Sequence, residues 1–168
     1  MKHAIRFLMC SLALAACAPQ DAEVTRALAA HDAVLNEIPR EFYSPGLGDQ
    51  MLGLQHRHAA LWFAAQAGNW SLAAFELEEV DETLERIGRW HPKIDGVPTP
   101  PSIKAYTHPA RYALAQSITK RSRADFEVAF DRLTDGCNAC HHASKHPFIV
   151  IQRPSASPVS NQRWSATE

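Results

Sequence analysis

The sequence predicts an all-α fold: an antiparallel four-helix bundle with an extra N-terminal helix and an extended C-terminal tail. Three observations predict it. Apolar residues recur at helical spacing from about residue 21 to residue 146. Between these stripes stand Gly68-Asn69, a Pro/Gly-rich stretch at 92–101 and Ser122, the residue types that end and cap helices. No internal repeat and no alternating strand–helix pattern interrupts them. With 168 residues, 46% of them hydrophobic, the chain suits one packed domain plus a targeting segment.

That segment comes first. Lys2, His3 and Arg6 make a positive start, and residues 7–16 form an apolar run too short to span a bilayer. Residues 1–16 therefore read as an export signal. Leu14-Ala15-Ala16-Cys17 resembles the lipobox of bacterial lipoproteins, which implies that Cys17 is the lipidated first mature residue. An ordinary cleaved signal with an incidental Cys17 is the alternative. The expected location is the periplasmic side of a bacterial membrane, with Ala18 after the cysteine favouring the outer one. Acyl chains would hold the protein there, each buried methylene contributing about 0.8 kcal/mol.

The mature chain begins with an Ala-rich helix at 21–37, stopped by Pro39, and a linker at 42–48, so 17–47 form an N-terminal extension. The bundle is assigned to 48–146. Its first helix, 49–67, carries Met51, Leu54, His58, Leu61, Trp62 and Ala65 on one stripe. Its second, 70–91, repeats the stripe with Trp70, Ala74, Leu77, Val80, Leu84 and Ile87, opposite Glu78, Glu79, Glu82, Glu85 and Arg86. Residues 92–101 read as a connection, and Pro109 as the first turn of a helix ending near 120. The last helix, capped by Ser122 with Asp125, places Phe126, Ala129, Phe130, Leu133, Cys137, Cys140 and His141 on its inner face. Pro147 ends it; 148–151 is a short strand-like apolar run, and 147–168 form the tail.

Charge narrows the partners. The net charge is -1, and losing Lys2 and Arg6 with the signal leaves 15 basic against 18 acidic residues. That bias is too weak for a nucleic-acid partner, and no basic stripe with interleaved aromatics appears. The four cysteines are Cys10, Cys17, Cys137 and Cys140; with the first in the signal and the second assigned to lipid, no disulfide framework remains.

Cys137-Asn138-Ala139-Cys140-His141 has the C-x-x-C-H form of covalent c-type haem attachment. Two thiols one helical turn apart reach the two vinyl groups on one edge of a porphyrin, and His141 swings beneath the iron as proximal ligand. Attachment occurs outside the bacterial cytoplasm, so motif and export signal agree. A thioredoxin-like pair would want a βαβ setting, which is missing. A zinc site from Cys137, Cys140 and two of His141, His142 and His146 stays open, as does a chance match.

A C-x-x-C-H on the final helix of a four-helix bundle resembles the class II cytochromes c, the cytochrome c′ and low-spin c-556 type, over about residues 49–146. Residues 46–51 and 148–154 are also similar to segments of a group of bacterial monohaem proteins. The resemblance implies one haem c, thioethers from Cys137 and Cys140, and His141 as proximal ligand. Met51, the only methionine of the mature chain, is implied as distal ligand, because the start of the first bundle helix lies near the end of the last. His58 is the second candidate. Met51 as core filler and His58 as a hydrogen-bonded core residue are the plainer alternatives. The tail of some twenty-five residues and the added N-terminal helix depart from the family.

The function implied is a membrane-tethered one-electron carrier with His/Met ligation and a redox partner protein. A five-coordinate gas-binding haem protein is the alternative; a haem peroxidase using His58, or a zinc protein, ranks lower. The family's frequent dimers leave a homodimer open. Trp62, Phe63, Trp70, Phe75, Phe126 and Phe130 are haem-wall or core candidates, and Arg57, Arg132 and Lys145 propionate partners or solvated charges. The acidic helix face is a steering surface or plain solvent-facing polarity.

Overall fold

The computed structural model describes residues 18–37 and 44–166, so the signal expected at 1–16 and Cys17 lie outside the described residues. The chain divides into two units at residue 44. The first contains helix α1, Ala18–Glu37, three residues longer at its start than the sequence pattern predicted. Val24, Leu28, Val34 and Leu35 on it are exposed.

The second unit is built from four long helices: α2 (Leu47–Gln66), α3 (Trp70–Trp90), α4 (Thr99–Thr119) and α5 (Arg123–Ala143). Each has 20 or 21 residues, or about 30 Å at 1.5 Å per residue. A two-residue hairpin, β1 (Lys93–Ile94) with β2 (Val97–Pro98), is the only sheet among the described residues. No described helix is long and apolar enough to cross a membrane.

The helix ends follow local chemistry. Gly68 takes φ +72° after α2, and its turn lets Asn69 N–H donate to the Ala64 carbonyl at 2.9 Å. Asn69 then caps α3 by accepting from Leu72 N–H at 3.1 Å. Ser122 caps α5 through Asp125 N–H at 3.3 Å, as its sequence position predicts. α5 closes with Lys145 at φ +61° and His146 N–H donating to the His141 carbonyl at 2.8 Å. That turn sends the tail back over the end of its own helix.

The start of α4 corrects the sequence reading. Pro100 and Pro101 are not linker; they occupy its first turn, where a missing N–H loses no intrahelical partner. Pro109 therefore lies inside the helix rather than at its start. Its ring is exposed, and the neighbouring Ala110, Leu114 and Ile118 bury α4 against the core, which holds the helix together across the break.

Leu61, Ala64 and Ala65 of α2, Ala73 and Leu77 of α3, Ala110, Leu114 and Ile118 of α4 and Phe126, Ala129, Phe130 and Leu133 of α5 make one core. On α3 the buried alanine is Ala73, not Ala74, which is exposed. Successive helices run in opposite directions. Gln66 at the end of α2 donates to Glu127 near the start of α5 at 3.1 Å, while His58 meets Thr134 further along it. Arg57 of α2 pairs with Glu76 and Glu79 of α3 at 3.3 and 3.0 Å, and Arg111 of α4 with Asp81 of α3. A Cβ on Gly136 would stand 2.2 Å from the Tyr106 carbonyl oxygen, so glycine there lets α5 cross α4 closely just before Cys137.

Candidate functional site

Opposed helix directions bring the first turns of α2 to the last turns of α5. Between them lies a cavity of about 450 Å³, within the range of small-molecule sites. It gathers Met51 and His58 from α2 with Cys137, Cys140 and His141 from α5. These are the five residues the sequence offered for holding a haem. Its remaining lining is largely apolar: Leu47, Leu52, Leu54, Ile94, Ile149 and Ile151.

Cys137 is free and its thiol is pushed up to about 12 by burial, with the neighbouring Cys140 adding to the shift. Burial also raises Cys140, partly offset by a hydrogen bond with the Ser144 side chain. Both are held as neutral thiols, unlike the low-pKa cysteines of thiol–disulfide exchange.

His141 is half-buried and its Nδ1 lies 3.1 Å from the Ile149 carbonyl oxygen. A carbonyl only accepts, so Nδ1 carries a proton, and in the neutral ring Nε2 offers its lone pair. No hydrogen bond among the described residues occupies that Nε2. His146, also on the cavity wall, donates from Nδ1 to the Ser144 carbonyl at 2.6 Å.

His58 is nearly closed off, 5% exposed, with its ring centroid 4.3 Å from that of Phe130. The Thr134 hydroxyl donates to the Phe130 carbonyl at 3.0 Å, so at 2.9 Å it receives a hydrogen bond from His58 Nε2. Burial lowers the His58 pKa from 6.5 to about 4, which keeps the ring neutral. Its geometry is that of a hydrogen-bonded core histidine at the cavity edge. Met51 is half-buried and its thioether has no competing polar partner among the described residues.

The other haem-wall and propionate candidates lie outside the cavity lining. Trp62, Trp70, Phe126 and Phe130 pack together at the far end of the helices, with centroids 4.9 to 6.3 Å apart. Phe63 packs against Trp164 with centroids 5.7 Å apart, and Phe75 is exposed under the Arg57 guanidinium. None of these six lines the cavity. Arg57 and Glu79 of the acidic face are engaged with each other, and Arg132 and Lys145 are exposed outside the lining. Among the described residues no three His, Cys, Asp or Glu side chains converge on one metal position, so the zinc cluster is not assembled. Residues 148–151 form no strand.

The sequence reading missed Ile94, which the hairpin delivers to the cavity. Its signal was present in Asp95-Gly96, whose φ of 48° and 85° make a tight two-residue turn. It also missed Asn138, whose carboxamide donates to the Ile151 carbonyl at 2.9 Å and accepts from Ile151 N–H at 2.7 Å. No family model, curated protein or solved structure matches the chain.

Proposed function

We propose that the chain is an exported monohaem c-type cytochrome, an antiparallel four-helix bundle resembling class II, acting as a membrane-tethered one-electron carrier. The observation that carries this reading is that Cys137, Cys140, His141 and Met51 line one largely apolar cavity. The donor chemistry fits a haem. Two neutral thiols stand one helical turn apart, the next residue offers an unoccupied imidazole Nε2, and a thioether from another helix lines the same space. Such an iron needs one or two protein ligands.

Cys137 and Cys140 would hold the porphyrin through thioethers, His141 Nε2 would ligate the iron, and Met51 Sδ would fill the sixth position. The haem supplies exchange between ferrous and ferric iron. The chain's own part is to orient and exclude. The Ile149 carbonyl fixes the His141 tautomer. Leu47, Leu54, Ile94, Ile149 and Ile151 lower the local dielectric, which sets the potential. Cys17, as lipidated residue, would tether the protein at the periplasmic face, where it would meet a redox partner protein.

The test is the mature protein made with cytochrome maturation machinery. Its mass should exceed polypeptide plus lipid by one haem, and the reduced spectrum should be that of low-spin haem c. Cys137→Ala with Cys140→Ala should abolish the covalent adduct. A wild-type mass explained by polypeptide and lipid alone overturns the reading.

A further inference from the structure

The tail begins at the turn that ends α5 and returns along that helix. Ile149 N–H donates to the His146 carbonyl at 3.0 Å. Ile151 is gripped through both its N–H and its carbonyl by the Asn138 carboxamide. Two residues on, Arg153 lies over the Trp62 ring at 4.8 Å and binds Asp131 through two hydrogen bonds of 2.6 and 2.7 Å. Asn138 and Asp131 are seven residues apart on α5, on one face two turns apart. Backbone positions 149 to 153 are thus registered against that face, and Ile149 is fixed from both sides.

The consequence falls on His141. Its Nδ1 proton is donated to the Ile149 carbonyl, which lies between the Ile149–His146 bond and the Asn138 clamp on Ile151. We infer that Asn138 is a positioning residue: by clamping Ile151 it holds the Ile149 carbonyl on His141 Nδ1, fixing the ring and its strength as an iron ligand. The inference rests on the haem reading above and gives the first variable residue of the attachment motif a task of its own. The physical link is the shared imidazole ring. An Nδ1–H bonded to a carbonyl makes Nε2 a better donor, which favours ferric over ferrous iron and lowers the potential. When the carbonyl leaves, the donor weakens and the potential rises.

Two variants of the full-length holoprotein test this from opposite partners. Asn138→Ala removes the carboxamide. Ile151→Pro removes the N–H that the carboxamide accepts, and leaves the attachment motif untouched. The measurements are haem content by mass, midpoint potential by spectroscopic titration, and amide exchange at Ile149. In both variants the haem stays attached, Ile149 exchanges faster, and the potential rises by about 59 mV, which is about a tenfold shift in a one-electron equilibrium. If Ile149 exchange rises in haem-loaded variants while the potential stays at the wild-type value, the positioning role is wrong and the haem reading stands. If exchange and potential both stay unchanged, Asn138 does not hold the tail and the inference likewise fails. A wild-type protein without haem overturns both.

Discussion

The two ends of the helical unit differ in what fills them. At one end Trp62, Trp70, Phe126 and Phe130 interlock, and Phe126, Phe130, Leu114 and Leu133 are almost wholly buried. At the other, Met51, His58, Cys137, Cys140 and His141 surround open space of about 450 Å³. Bulky rings stabilise the filled end by burying area and by dispersion contacts. At the hollow end the helices approach with slender side chains, and no ring of Phe, Tyr or Trp enters the lining. Close packing of the rings at one end lets the other keep a cavity that a uniformly packed core would have closed.

Truncating a large side chain at each end is the strongest way to break this contrast. Phe130→Ala removes a fully buried ring that touches Phe126, Trp62 and His58, and it should destabilise by about 4 kcal/mol. Leu54→Ala, on a half-buried cavity wall that already lacks partner atoms on one side, should lose about 1 kcal/mol. Denaturant midpoints of the two variants check the ratio. Equal losses would mean that the cavity end is as tightly packed as the aromatic end.

The filled end was the more legible of the two. Phe126, Ala129, Phe130 and Leu133 follow the i, i+3, i+4, i+7 spacing and are all buried. The caps at Asn69 and Ser122 act at their predicted positions, because capping depends on residues only three apart. Where two alanines stood side by side, periodicity chose Ala74 over the buried Ala73, since both lie close to one stripe and composition does not separate them. At the hollow end the cavity-lining residues were legible because C-x-x-C-H is distinctive and Met51 is the one methionine beyond residue 9. What held them was not. The grip of Asn138 on Ile151 joins positions 13 apart through a chain reversal at Lys145, a non-glycine residue in the left-handed region that no turn pattern announced. The prolines of α4 misled because proline reads as a breaker, whereas in a helix's first turn it loses nothing.

His58 stands on the boundary, packed against Phe130 and lining the cavity, and it makes the contrast depend on pH. Burial drops its pKa from 6.5 to about 4, so between these values the unfolded chain takes up a proton that the folded protein refuses. Its contribution to stability is complete above pH 6.5, falls as the pH drops below that value, and levels off below about 4. The whole loss is roughly 3 kcal/mol at about 1.4 kcal/mol per pH unit of displacement. Unfolding curves across this window check it. His58→Leu should flatten the slope there, leaving the Thr134 hydroxyl satisfied by the Phe130 carbonyl. An unchanged slope would assign the acid sensitivity to other groups.

A nearly volume-conserving change in the cavity wall carries the most information about the hollow end. Met51→Leu nearly conserves volume on a half-buried wall and should shift stability by less than about 1.5 kcal/mol. Leucine has no sulfur, however. If Met51 is the sixth ligand, the variant's oxidised spectrum loses its iron–sulfur band, the iron becomes high-spin, and added carbon monoxide binds the reduced protein faster. If the spectrum and carbon monoxide kinetics match the wild type, Met51 only fills space. A wild-type iron that is already high-spin would then favour the five-coordinate gas-binding alternative. A low-spin iron that survives Met51→Leu and is lost in His58→Leu would instead require His58 to leave Thr134 when haem is bound. Stability alone would not separate these cases, because all of them keep the aromatic end intact.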